Sequence, residues 1–511
     1  MTSVIKNARR FWIVAIFAGW SFDFLFWRQG IGINFALFVS FCVAAGIALQ
    51  CAEGIRPARN TQLILPAVLF FATMAFVRME PLTMFVCICA ATGLLAVLVI
   101  TYTGGNWIHY SLMDYAVRLF RLYVSMFTRG MFFIRETRRQ REAAGVEKKR
   151  GEIGKRLWPV VRGVLIAIPI VAVLAGLLAS ADLVFAQRLG DIASIFNTDK
   201  IPEYLVRGFF ILLIAYFLGG IFLHAAVESG DENAAPGKTL LSPFLGFTET
   251  AIILCSVVAL FAGFVIIQFE YFFGGERNID ISGYTYAEYA RRGFGELVAV
   301  AIFSLLLVLA LSTFSRRENK RQQQMFTGMG VAMVGLVLVI LVSAFQRIIL
   351  YEDAYGFSRL RTYTHVFLVW LGLLLVAVIV LEVIKRQKAF ALAAVLAAAG
   401  FVGTLAIMNV DGFIVHQNVQ RAVHSGADLD VDYLVSLSDD AVPTLADEYR
   451  AAPDPSKLKG ELGSAIAHFA GSQDFESGRS WRAYHVSYAR AVDAIDQLEA
   501  ESPNFPNKGN P

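Results

Sequence analysis

Charge is scarce in this sequence. Of its 511 residues only 17% are Asp, Glu, Lys or Arg, while 57% are hydrophobic; a soluble globular chain is about a quarter charged. That shortage, with a mean hydropathy of +0.58, excludes a water-soluble class. Cysteine is also rare: Cys42, Cys51, Cys87, Cys89 and Cys255 all lie in or beside apolar runs. Such placement argues for small buried hydrophobes and against a disulfide framework or a zinc clamp. No phosphate-binding glycine loop, HExxH, GxSxG or dinucleotide fingerprint occurs. No catalytic residue, metal site or cofactor is therefore expected.

What is abundant is long apolar sequence. Crossing about 30 Å of hydrocarbon takes roughly 20 residues of helix. Apolar runs of that order fall near 11–27, 31–51, 61–77, 81–102, 157–178, 203–225, 244–269, 294–314, 325–350, 363–384 and 389–408. The fold class predicted is all-α, a polytopic transmembrane helical bundle of about 11 spans. The basic, apolar N-terminus has no A-x-A-like cleavage site after it and reads as a retained first span. The segment DYAVRLFRLYVSMFTRGMFF (114–133) mixes arginines with aromatics and reads as an interfacial helix lying on the surface.

Lysine and arginine in short loops set orientation. The N-terminus carries Lys6, Arg9 and Arg10, and RETRRQREAAGVEKKRGEIGKR (135–156) holds nine basic residues against four acidic. SRRENKRQQQ and KRQK repeat the bias on the same side by span count, which puts these loops and the N-terminus in the cytoplasm. ESGDENAAPGK, acidic and on that same side, is the exception, and acidic residues weigh little in the rule. An odd span count leaves the C-terminus extracytoplasmic. From Asn409 onward the chain has sixteen acidic and eight basic residues. The organisation expected is a transmembrane domain (1–408), a small acidic extracytoplasmic helical domain (409–500) and a disordered tail (501–511). Within the small domain, Trp481, Tyr484, Tyr488, Val492 and Ile495 recur at helical spacing along one face.

Three polar junctions end or begin spans on the outer side. YTYAEYARRGFGEL (284–297) places Glu288, Arg292 and Glu296 at i, i+4, i+8, the spacing of alternating ion pairs. Glu296 falls about one turn inside the apolar boundary, where an unpaired carboxylate is costly. FQRIILYEDAYGFSRLRTYTH adds Arg347, Glu352, Asp353 and Arg359, and the exit of the last span adds Asn409. These eight residues form the candidate ligand-binding set. The competing reading treats each as an interfacial anchor or a helix-locking ion pair. Asp23 and Asp182 stand as lone acids in apolar surroundings, where a helix-end role competes with a proton-relay role. His416 and His424 share a helix face with Asp411 nearby, at a spacing too loose for a convincing metal site.

Phe269-Glu-Tyr-Phe-Phe-Gly-Gly, YAEYARRGFGEL and Ala354-Tyr-Gly-Phe-Ser-Arg-Leu-Arg together resemble a bacterial family of multi-span membrane proteins of unknown function. Leu429-Asp-Val-Asp-Tyr-Leu and the following LSDDAVPTL are also similar, so the resemblance spans roughly 240–450. Ser358 stands where that family often has threonine, keeping the hydroxyl. Membership implies architecture, with no activity attached; the location expected is the bacterial inner membrane. Three functions fit: binding or transport of a small ion or solute at the outer polar site; a sensor or scaffold whose residues 409–500 bind an envelope protein; and an enzyme acting on a lipid-linked substrate. The bilayer is the first partner, and residues 135–156 suit anionic headgroups better than nucleic acid.

Overall fold

The computed structural model describes residues 7–143, 201–230, 244–273, 294–471 and 480–501, with helical positions 171, 174 and 178 besides. Helix is the only regular secondary structure among them; an isolated bridge joins Leu245 to Ser315. That follows from the solvent, because in hydrocarbon each backbone N–H and C=O must be satisfied within its own segment.

The bundle comprises α1 (Ala8–Phe26), α2 (Ile33–Ala52), α3 (Ile64–Val77), α4 (Pro81–Ile100), α5 (Leu112–Ala143), α6 (Ile201–Val227), α7 (Phe247–Phe273), α8 (Phe294–Phe314), α9 (Lys320–Tyr355), α10 (Arg359–Val383) and α11 (Phe390–Met408). The C-terminal helices are α12 (Val410–Ser425), α13 (Val431–Val435), α14 (Val442–Ala451), α15 (Lys457–Ala470) and α16 (Val486–Glu501). Among the described residues nine helices are long and apolar enough to cross a membrane. The chain is thus a multi-pass membrane protein. Helix α1 is not one of the nine, since it carries Arg9, Arg10 and Asp23. The expected span at 157–178 lies, apart from the isolated positions, outside the described residues.

Two groups of helices share the membrane. Apolar residues of α2, α3 and α4 pack together with Ala225 of α6 and Val402 and Ala406 of α11. A second core joins α7, α8, α9 and α10 around Leu254, Phe326, Val337 and Leu375. Helix α11 links the groups by packing on both α10 and α4. Small residues permit the closest crossings. A Cβ on Gly19 would lie 2.3 Å from the Ile211 carbonyl oxygen, so α1 and α6 touch backbone to backbone. A Cβ on Gly400 would fall within 2.4 Å of the Trp370 ring, whose Nε1 donates to Thr404 Oγ1 at 3.0 Å. The outward faces are apolar, with Phe303 and Leu260 well over half exposed, as lipid contact requires.

Helix ends sort into two faces. On one, Thr61 bonds the Thr101 carbonyl, Thr103 meets Ser229, and Leu245 pairs with Phe314 and Arg316. On the other, Trp27 Nε1 donates to Glu203, Arg78 reaches the carbonyls ending α11, and the C-terminal helices gather. The core of those helices is continuous with the bundle, since Leu405 and partly buried Phe401 and Met408 join Ile414, Leu445 and Ile466.

Two local expectations change. The helix of α16 begins only at Val486 and buries Ser487, Ala491, Ala494, Ile495 and Leu498, so of the predicted face only Ile495 is buried while Trp481 and Tyr484 are exposed. The preceding segment is pulled onto the bundle instead: Ile33 N donates to the Tyr484 carbonyl at 3.0 Å, and the Arg482 guanidinium stacks 4.5 Å from the Phe24 ring. Of the five cysteines, Cys87 is buried, Cys42 is half-buried, and Cys51, Cys89 and Cys255 are exposed. On a membrane helix an exposed small apolar residue faces lipid, so apolar context does not imply burial.

Candidate functional site

Turn geometry brings the polar residues together on the face that carries the C-terminal helices. Helix α9 ends at Gly356, whose φ of +78° suits a residue without Cβ, and α10 starts three residues later. Asn409, at φ +55°, breaks α11 from α12 and caps the latter through Gly412 N. The two breaks lie side by side. Asn418 accepts from Phe357 N at 2.7 Å and donates to the Phe357 carbonyl at 3.0 Å. Arg421 donates to the Asp353 and Ala354 carbonyls, satisfying the open end of α9.

Asp411 is the first hub. It is fully buried and accepts from Arg359 Nε at 2.7 Å, Arg359 Nη2 at 2.5 Å, Ser438 N at 2.8 Å and Ser438 Oγ at 2.7 Å. Three of these contacts reach Oδ2 and one reaches Oδ1, so both oxygens of the buried carboxylate are engaged. The Tyr433 hydroxyl accepts from Arg359 N at 2.8 Å. Burial pushes that phenol above its ordinary value, against the opposing pull of the Arg359 amide and guanidinium, so it stays neutral.

Asp440 is the second hub. Its carboxylate accepts from Met79 N at 2.7 Å, Glu80 N at 2.9 Å and the Ser487 hydroxyl, and forms an ion pair with Arg78 Nη1 at 3.6 Å. Asn409 Nδ2 donates to the Asp440 carbonyl at 3.1 Å. Glu80 caps α4 through Leu82 N and Thr83 N, with Pro81 in the first turn, and accepts from the Tyr363 hydroxyl. The result is a buried polar knot that ties α12, the 438–440 turn and α16 to the ends of α4, α10 and α11.

A separate pair lies beside the knot. Glu352 is 2% exposed, and its Oε1 sits 3.2 Å from His365 Nδ1. Thr362 Oγ1 and His365 Nε2 are buried close by in sequence with no hydrogen-bond partner among the described residues.

The eight candidate residues therefore separate. Arg359 and Asn409 belong to the knot, Glu352 to the histidine pair, and Asp353 is exposed and lends only its backbone carbonyl to Arg421. Arg347 is buried on α9. Five residues along a helix turn the direction by about 140°, so Arg347 and Glu352 leave α9 on different sides. Glu296 is exposed in the first turn of α8 rather than buried, and Glu288 and Arg292 lie outside the described residues. Asp182 also lies outside them. Asp23 is no lone acid, because Arg207 grips it through Nε at 3.0 Å and Nη2 at 2.5 Å. His416 meets Glu448 at 2.6 Å, whereas His424 bonds the Gln420 carbonyl in its own helix, so the two histidines do not converge.

Sequence reading passed over Arg78, Glu80, Tyr363, Ser438, Asp440 and His365. Glu80 carried a usable signal, since an acid directly before Pro81 and an apolar run is a helix start. For Asp440 the SDDAVP turn showed a cap but not its partners. A family model described as "Domain of unknown function (DUF4153)" matches residues 65–448. The chain belongs to the DUF4153 family. Arg78, Glu80, Arg359, Asp411 and Asp440 all fall within the DUF4153 match, which extends well ahead of the motifs at 269–361, whereas Ser487 lies beyond it. No curated protein and no solved structure matches the chain.

Proposed function

We propose that this chain is a bacterial inner-membrane scaffold that holds its C-terminal helices on the extracytoplasmic face as a docking surface for an envelope partner. The observation carrying this reading is the dense internal pairing of the knot. Asp411 and Asp440 are held by Arg359, Arg78, Ser438, Ser487 and backbone amides, which fixes a surface and favours a structural role over a solute site. The cavity beside it, about 450 Å³, is lined mainly by apolar Ile31, Met79, Met84 and Ala483. Asp430, Asp432, Asp493 and Asp496 are exposed on the docked helices, which favours a basic partner. Loops of positive bias on the opposite face support the outward assignment.

The test places a photoreactive residue at position 447 or 493 of the full-length protein in native membranes. A discrete adduct from these positions, lost when Asp411→Ala loosens the helices, is the expected result. No adduct from either position, or one indifferent to Asp411→Ala, would refute the reading.

A second reading, a small-cation or proton-linked solute site, rests on Glu352 and His365. A buried carboxylate beside an imidazole with unsatisfied neighbours can exchange a proton or hold a cation. Proteoliposome flux abolished by Glu352→Gln would favour it; no flux for the wild-type protein would remove it. The lipid-linked enzyme has less support. Arg359 is held by Asp411, and Arg361 stacks 4.1 Å over Tyr351 and donates to the Gly356 carbonyl, so neither guanidinium faces a cleft.

A further inference from the structure

Among the described residues from 426 onward, the large hydrophobic side chains that stand exposed are Trp481, at 56%, and Tyr484, at 39%. They are three positions apart on the segment that folds back onto the bundle. Two amphipathic rings together, on a surface that otherwise hides its large apolar groups, have the composition of an aromatic belt. Their height is set by the bundle. Ile33 is the first residue of α2, one of the helices able to span, and its N–H donates to the Tyr484 carbonyl at 3.0 Å. His485 Nε2 donates to the Ile31 carbonyl at 2.7 Å, and a Cβ on Gly32 would lie 2.6 Å from the Ala483 carbonyl carbon. The segment is thus held backbone to backbone at the end of a span, where hydrocarbon gives way to headgroups.

The apolar outer face of α1 runs up to it. Ile13, Ile16, Phe17, Trp20 and Phe24 are exposed at i, i+3, i+4, i+7 and i+11, along one face of a helix that packs on α2 and α6. Phe17 stacks on Trp20 and Trp20 on Phe24, each with ring centroids 5.5 Å apart. Trp481 continues the column, 6.3 Å from Phe24. The Arg482 guanidinium lies 4.5 Å from the Phe24 ring and 5.8 Å from that of Trp481. Its Nε is buried without a hydrogen-bond partner, and no carboxylate pairs with it among the described residues. A guanidinium at the end of a lipid-facing ring column suits the phosphate layer, whose oxygens accept paired hydrogen bonds from arginine.

We propose that Trp481–Tyr484 is a membrane-interface anchor, with both rings and the Arg482 guanidinium in the headgroup layer and phospholipid phosphate as the partner of Arg482. The anchor lays the C-terminal helices against the bilayer and leaves their acidic surface to water. It holds for whichever leaflet this face meets and does not depend on the scaffold reading.

The test places a fluorescent non-canonical residue at position 481 of the full-length protein or, as a reference on the same C-terminal helices, at position 447. Both side chains are exposed, so neither label is expected to disturb folding. Each protein is reconstituted into vesicles of phosphatidylethanolamine and phosphatidylglycerol. Position 481 should be quenched by phospholipid brominated near the top of its acyl chains, and aqueous iodide should quench it about threefold less than position 447. Equal iodide quenching at the two positions would overturn the anchor. Protection from iodide without quenching by the brominated lipid would also overturn it, because protein would then cover the ring. Arg482→Gln should raise iodide access at 481 about twofold in the vesicles and leave it unchanged in dodecyl maltoside, which carries no phosphate. The same change in both media, or none in either, would overturn the phosphate contact.

Discussion

Replacing Asp411 with alanine probes the knot at its most connected point. The side chain is fully buried and Arg359 is 25% exposed, so the substitution strands a largely buried guanidinium together with the Ser438 amide. Removing one partner of a buried pair costs about 3–5 kcal/mol, and the partial exposure of Arg359 argues for the lower end, about 3 kcal/mol. The loss should be local to docking, because Asp411 holds α12 to α10 rather than stabilising the membrane core. Hydrogen exchange measures it directly. A 3 kcal/mol loss lowers protection by about 150-fold where exchange follows local opening. Amides near Phe357, Ser438 and the start of α12 should show this drop, while those at Val337 and Leu375 keep wild-type protection. The double variant Asp411→Leu/Arg359→Met removes both charges and should regain at least about 1 kcal/mol relative to the sum of the single changes. Single effects that add to within about 0.5 kcal/mol, or unchanged protection in Asp411→Ala, would refute the coupling.

Gly400→Ala should cost about 1–3 kcal/mol, because its methyl would overlap the Trp370 indole; a Trp370-dependent shift in fluorescence and a lower melting temperature would check this. Asp23→Asn should destabilise the α1–α6 contact by about 2 kcal/mol, and Asp23→Asn/Arg207→Gln should recover part of it in a thermal-shift assay. At the exposed start of α15, the hydrogen bond from Lys457 and then its charge hold the Asp428 carboxyl below its ordinary value. Folding thus favours the ionised form: the small contribution is complete above about pH 4, and it disappears as pH falls through the lowered value. Amide exchange at Lys459 and Gly460 should report it, and Lys457→Met should erase the acid limb.

The helical class and the membrane setting were legible in the run lengths alone, since about 20 apolar residues can do little but span. So was the clustering of the second and third polar junctions on one side, because alternating passes send 347–361 and Asn409 to the same face. Their pairings were not legible. Arg359 and Asp411 are 52 positions apart, and Tyr363 and Glu80 are 283 apart. Nothing in local spacing selects Asp411 over Asp353 as the partner of Arg359; α12 lies against the α9–α10 turn because Asn418 and Arg421 bond its backbone. Glu296 shows the reverse case, where an acid inside an apolar boundary turned outward at the first turn of its helix. Arg118 and Arg129 were illegible for a related reason. Arginines among aromatics marked 114–133 as an interfacial helix, but only packing against α6 decided that the arginines turn inward and the rings stay exposed.

By itself the sequence determined that this chain lives in a bilayer, because a segment of lipid-soluble side chains must close its own backbone hydrogen bonds and so becomes a helix wherever it sits. It also determined where helices break, through Pro81, Gly356 and Asn409, whose backbone preferences are local properties. Only the tertiary structure decided which charges neutralise one another. Ion pairing depends on which helix ends meet across the bundle, and that is settled by how Gly19, Gly400 and their opposing side chains allow the helices to approach.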